Sequence, residues 1–169
     1  MAVTTEADTA VLPAVTGALP PPGRYELRLD RYVLEVAVRV LGRPLLRGRF
    51  RAVRGCLEVG EPSTLSLDIS AKSLRTNVPL LRRVVSGSSG LWAARHRTIR
   101  FTAVVAPDRP RRLDLRGTVR VRHEDHDLPM RARVVHLDLD TVVLAAHGVL
   151  DTNGFPRRLH VEAALELAR

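Results

Sequence analysis

The densest group of chemistry-bearing side chains in this sequence is the run Arg122-His123-Glu124-Asp125-His126-Asp127. Imidazoles and carboxylates are the ligand types of zinc and other divalent ions. Consecutive residues on a tight turn do not all aim at one point, however, and polar residues are what a hairpin tip in water requires. The run therefore reads as a solvated turn, with His123 and His126 in water, and no metal is expected. The single cysteine, Cys56, follows Gly55 in a strand-like stretch and reads as a small structural residue. No Gly-x-Ser-x-Gly elbow, glycine-rich phosphate loop or Cys-His context surrounds the Ser, His and Asp residues. Nucleophilic catalysis has no visible apparatus, so the expectation is a protein that is not an enzyme and takes no cofactor.

The elements that would position any site are written in a second pattern, an alternation of apolar and polar residues from Tyr25 to the C-terminus. Period-two alternation marks antiparallel strands with one face buried and one in water. Residues 25–30 turn Tyr25, Leu27 and Leu29 one way, and a second strand over 32–40 does the same with Tyr32, Leu34, Val36, Val38 and Val40. A third strand alternates Leu46, Gly48, Phe50 and Ala52, then changes phase at Val53. A phase change inside a strand predicts a bulge. The fourth carries Leu65, Leu67, Ile69 and Ala71. Between Ser73 and His96 the period breaks: Val78, Leu81, Val84 and Val85 recur at three- and four-residue spacing, predicting a short helical insertion over about 74–95. Strands resume through Ile99, Phe101, Ala103 and Val105, through Leu113 to Val121, and over 128–139 with a second phase change at Val135. An eighth strand runs to Leu150 and a last one carries Leu159 to Leu167. The expected fold is all-β, an antiparallel lipocalin-like β-barrel of eight or nine strands with a helical insertion.

Composition narrows what such a barrel would hold. Apolar residues make up 45% but aromatics only 4%, so the interior must be aliphatic. The formal charge is +9, and Lys72 is the only lysine among 27 basic residues. That balance favours anionic partners. The arginines are spread along nearly every strand, without the run of exposed aromatics on which single-stranded nucleic acid stacks. They read first as the solvated face of the strands, nucleic acid is not the expected partner, and an anionic membrane surface is one that such a diffuse cationic shell would suit. Residues 1–23, with Pro20-Pro21-Pro22-Gly23, predict a disordered or extended tail before a domain over 24–169. The N-terminus lacks the basic start and apolar core of a secretory signal, and one cysteine leaves no internal disulfide, so a cytoplasmic protein is expected.

Over Tyr25 to Leu167 the sequence resembles the YceI-like family of polyisoprenoid-binding, lipocalin-like barrels. The residues carrying the resemblance are Tyr25, Leu29 and Asp30; Gly48, Phe50 and Gly55; Ser73-Leu74-Arg75-Thr76-Asn77, similar to the family's Ser-x-x-Thr entry to its helical insertion; Ile99-Arg100-Phe101; Leu115-Arg116-Gly117-Thr118-Val119; Leu128-Pro129; and Gly148. Departures occur where Arg31-Tyr32 replaces the family's His-Ser, where Leu81-Arg82-Arg83-Val84-Val85 replaces Arg-Asp-x-His-Leu, where Arg97 replaces a proline, and at Thr152-Asn153-Gly154-Phe155. The resemblance implies binding, storage or transport of an isoprenoid or similar long-chain lipid in the lumen.

The residues expected to line that lumen are Leu34, Val36, Val38, Phe50, Leu67, Ile69, Leu81, Val84, Trp92, Ile99, Phe101, Val119, Met130 and Leu144. Small inward residues, Gly48, Ala52, Gly117 and Ala132, are expected to leave space beside the larger ones. The alternative is that the same side chains interdigitate into a packed core. The protein would then be a basic module for nucleic acid or an acidic partner. An edge left open between the first and last strands would favour a homodimer.

Overall fold

The structure, a computed structural model, describes residues 17–78, 82, 85, 87, 91, 93–153 and 157–169. Among these residues nine strands follow one another: β1 Gly23–Val40, β2 Arg43–Val59, β3 Ser63–Thr76, β4 Thr98–Arg109, β5 Arg112–Val121, β6 Glu124–Asp127, β7 Met130–Leu137, β8 Thr141–Asp151 and β9 Arg158–Ala168. Each pairs antiparallel with its neighbours, β4 closes onto β5 and β1 onto β9, so eight strands form a closed barrel and β6 is an extra strand on the edge of β5. Closure leaves no open edge between the first and last strands, which pair from Glu26 to Ala37 of β1.

The alternation sets the walls as expected. On β4, Ile99, Phe101, Ala103 and Val105 are buried while Arg100, Thr102 and Val104 are exposed. Both expected phase changes are real: the β2–β3 register slips between Ala52 and Arg54, and the β7–β8 register between Val134 and His136. The bulged residues themselves face outward, Val53 at 54% and Val135 at 47% exposure.

Four expectations are corrected. The first two strands are a single strand, β1, whose register slips between Leu27 and Tyr32 against β9, turning Leu29 out to solvent. Against β2 the register of β1 is also interrupted, between Glu26 and Leu34, and there the Tyr32 hydroxyl accepts the N–H of Ala52 at 2.9 Å. The helical insertion begins later than residue 74, since β3 runs through Thr76; Arg82 and Val85 are helical, and Leu81, Val84 and Trp92 lie outside the described residues. The polar run is a shorter turn, Arg122-His123, followed by β6. β6 and β7 meet β5 in one continuous register across the break at Leu128-Pro129.

The glycines do not leave space. A Cβ on Gly117 would overlap the Phe101 ring and stand 2.5 Å from the Leu128 carbonyl, and one on Gly48 would stand 2.7 Å from Leu74. These positions are filled by neighbouring side chains and backbone.

Candidate lumen site

The strands run between two unlike ends. One end, the floor, carries the connections 60–62, 110–111 and 138–140; the other, the mouth, carries 41–42, 77–97, 122–123 and 152–157. The largest fully buried side chains, Tyr25, Leu57, Leu65, Leu113, Leu115, Leu144, Leu165, Leu167, Val134 and Val142, stack from the floor upward. Beneath them the end of the N-terminal stretch packs on the core through Ala18 and Leu19. The Tyr25 hydroxyl donates to the Pro21 carbonyl at 2.8 Å and lies 3.2 Å from that of Leu139, and Arg169 donates to the Pro22 carbonyl at 2.7 Å. Burial raises the pKa of that hydroxyl, opposed by the nearby Arg169 cation.

Toward the mouth the barrel is hollow. A cavity of about 440 Å³ is walled by aliphatic and aromatic side chains of every barrel strand, a volume within the range of small-molecule sites. Of the expected lumen residues, Leu34, Val36, Val38, Phe50, Leu67, Ile69, Ile99, Phe101, Val119 and Met130 border this cavity. Leu144 does not; it is fully buried in the packed floor half. Leu46, Leu74, Val121, Leu150, Leu159 and Val161 complete the upper wall and were not singled out by sequence.

Polar lining residues come only from the rim: Arg47, Thr76, Arg122, Glu124, His126, Thr152 and Asn153. Glu124 and His126 stand 3.8 Å apart. Beside them, the rings of His96 and His123 meet edge to face with centroids 4.7 Å apart. Desolvation first, then the neighbouring His123, Arg122 and Arg95, hold the His96 pKa below its ordinary value.

The Ser-x-x-Thr segment completes the rim structurally. The β2–β3 register jumps between Arg49 and Arg51, and Ser73 catches the freed groups: its hydroxyl accepts the Arg51 N–H at 2.7 Å and donates to the Ser70 carbonyl at 2.6 Å. Thr76 accepts the N–H of Val78 at 3.2 Å, and Asn77 accepts that of Arg47 at 3.3 Å. These contacts steer the chain from β3 into the segment that carries Val85 and Leu91 over the cavity.

The wall has one seam. β8 pairs with β7 only up to Gly148 and β6 pairs only with β5, so the mouth ends of β6 and β8 face each other without a ladder. A shallow groove of about 720 Å³ lies outside, lined by Asp114, Arg116, Arg131, Asp151 and Arg158 among others. That groove mixes charged with apolar residues and is the more open of the two, so the more sheltered apolar volume is the lumen. Among the described residues no group of three or more His, Cys, Asp or Glu is placed to hold a metal ion, and no helix is long and apolar enough to cross a membrane. Burial pushes the Cys56 thiol up, away from the reactive thiolate.

Comparison with solved structures returns the same fold. Burkholderia cenocepacia BcnA superposes with a TM-score of 0.64 at 13% identity, covering 83% of this chain and 98% of that one. A polyisoprenoid binding domain from Saccharophagus degradans, implicated in plant cell wall breakdown, gives 0.60 at 12% identity, covering 85% and 97%. A mutant CJ YCEI protein gives 0.62 at 12% identity, covering 78% and 90%. No family model matches the sequence, and no curated protein matches it. At such identities the likeness is one of fold.

Proposed function

We propose that this chain, folded as the YceI-like barrels are, binds a long-chain amphiphilic lipid such as an isoprenoid in the mouth half of its barrel, and stores or carries it without chemical change. One observation carries the reading: an aliphatic cavity of about 440 Å³ is closed at the floor by packed side chains and ringed at its mouth by polar ones. An apolar chain needs dry surface and no directional partner, while a head group needs water or charge. The two halves of an amphiphile match that division. Arg47 and Arg122 stand at the rim where a polar or phosphorylated head would rest, and guanidinium binds phosphate well. Among the described lining residues the titratable ones, Arg47, Arg122, Glu124 and His126, are all at the rim. The apolar depth suits a chain and the rim suits a head group. That two of the similar structures are a polyisoprenoid binding domain and a YCEI protein agrees with this reading.

The packed-core alternative, a basic module for nucleic acid or an acidic protein, has no use for the cavity. Native mass spectrometry with organic extraction of protein purified from its own host decides between them. A copurified lipid of defined mass is the expected result. Protein that emerges without lipid and binds no prenyl or acyl chain on titration would overturn the reading.

A further inference from the structure

β1 and β2 join at the mouth through a two-residue turn, Leu41-Gly42, flanked by the pair Val40 and Arg43. Leu41 has φ of +50° and Gly42 of +77°. Two-residue hairpin turns with both central φ positive favour Asn-Gly, Asp-Gly or Gly-Gly, because a side chain branching off the left-handed backbone is strained. Leucine is the wrong residue for this turn, and it contributes no packing in compensation: Leu41 is 98% exposed, with Val40 at 52% and Leu45 at 61% beside it. A strained, fully hydrated leucine at the tip of a long hairpin is poorly explained by folding. A second observation points to what it meets. Among the described residues, the four mouth connections hold no Asp or Glu and carry Arg82, Arg95, Arg97, Arg122 and Arg157, whereas the floor connections carry Glu61, Asp138 and Asp140 against Arg111. Of the acids on the strands toward the mouth, Glu124 stands by His126, Asp125 by Arg120, Asp151 by Arg158 and Glu162 by Arg39.

We propose that the β1–β2 tip, residues 40–45, is a membrane-docking element that inserts Leu41 into the headgroup layer of an anionic phospholipid bilayer and seats the barrel mouth against it. Aliphatic side chains projecting from a cationic face are the combination that interfacial binding uses, apolar burial together with attraction to anionic lipid. The tip has no aromatic ring on which bases would stack. It is also continuous with the lumen: Leu46, next in the hairpin, lines the cavity. A docked tip would therefore put the mouth where a lipid chain leaves the bilayer. The inference goes beyond the lumen reading and stands apart from it, since vesicle binding and lipid content are separate measurements.

Cosedimentation of the full chain with phosphatidylcholine–phosphatidylglycerol vesicles tests it, with pure phosphatidylcholine as the control. Leu41→Gly is expected to lower the partition coefficient about tenfold while leaving the melting temperature equal or higher, because glycine relieves the positive φ. Arg43→Gln is expected to weaken binding about fivefold on the anionic vesicles and to have no effect on the neutral ones. A Leu41→Trp variant should shift its fluorescence to the blue on vesicle addition. Binding that is unchanged in Leu41→Gly, a Leu41→Trp signal that stays at its aqueous wavelength, or loss of self-association rather than of vesicle binding in Leu41→Gly would each overturn the proposal. In the last case the tip would be a contact between copies of this chain.

Discussion

If the cavity holds a lipid chain, its finite depth must appear in the affinities of a homologous ligand series. At about 30 Å³ per carbon-sized group, the share of one water in the liquid, the cavity of about 440 Å³ takes about fifteen chain carbons. Each buried methylene contributes about 0.8 kcal/mol. Two added carbons should therefore tighten binding by about 1.6 kcal/mol, or about fifteenfold. Fifteen carbons give about 12 kcal/mol gross. Losing translational and rotational freedom costs about 4–8 kcal/mol at the lower end of its range, leaving tail affinities between about millimolar and micromolar. The assay is isothermal titration of delipidated protein with straight-chain and prenyl alcohols of increasing length. The expected plot of log affinity against carbon number rises steeply and then flattens near fifteen carbons, where further length protrudes past the rim. A companion variant fixes the site: Ala146→Phe adds six ring carbons to the wall, and the break should move about six carbons shorter. A slope near zero throughout, or a break that ignores Ala146→Phe, would refute the lumen as the binding site.

Two further outcomes test how the wall is held. Gly117→Ala places a methyl against the Phe101 ring and the Leu128 carbonyl, so a loss of about 2 kcal/mol, or about 6 °C in Tm, is expected by thermal melting; an unchanged Tm would mean that the β5–β7 break yields freely. On the outer face Asp68 joins three strands, accepting from Arg100 Nε at 2.8 Å and from Arg54. The Arg100 hydrogen bond holds its carboxyl below the usual carboxylate range, against burial, with Arg54 adding to the effect. A depressed carboxylate stabilises the fold fully above its unfolded value of about 4, and that contribution is lost as pH falls from there through the folded value. Asp68→Asn should cost about 1 kcal/mol at pH 7, modest because both arginines are exposed. It should also flatten the loss of Tm between about pH 5 and 2, and a variant whose Tm follows the parent curve would sink this assignment.

Most of the barrel was legible because period two is a strong signal wherever one face meets water. It placed the walls of β3, β4 and β5, and the slips at Val53 and Val135, from single phase changes. β1 was misread because a slip of more than one residue at Asp30-Arg31 looks in sequence like a turn. On the β2 side the interruption is bridged by a tertiary bond from the Ala52 N–H to the Tyr32 hydroxyl that no local pattern carries. The helical start was placed too early because Leu74 to Thr76 obey strand pairing with β2 only after the β3 bulge. Gly48 and Gly117 were read as space although glycine more often admits a neighbour, here Leu74 and Phe101. The rim residues Thr76, Glu124, His126 and Asn153 were passed over as loop polarity, since membership of a mouth depends on height along the barrel, which only the register supplies.

That height, once known, explains why one barrel is solid at one end and hollow at the other. Antiparallel register lets inward residues be ordered from floor to mouth. Along β8 they run Val142, Leu144, Ala146, Gly148; along β9, read in the same direction, Leu167, Leu165, Ala163, Val161. The floor is built mainly from leucines and Tyr25, long enough to meet across the barrel, whereas above it the adjoining strands β1, β9 and β8 turn to Val36 and Val38, to Ala163 and Val161, and to Ala146, with Leu159 and Leu150 long again at the mouth. Short side chains along one side of a barrel whose girth is fixed by its strand number leave its centre unfilled. An aliphatic barrel with uniformly large inward residues would have packed solid by the same physics. Hollowness here follows from a local run of short side chains on three adjoining strands, which alternation alone does not report because Val, Ala and Leu all count as apolar. That run lies on the mouth side of the packed leucines, so the void opens next to the arginine-bearing connections.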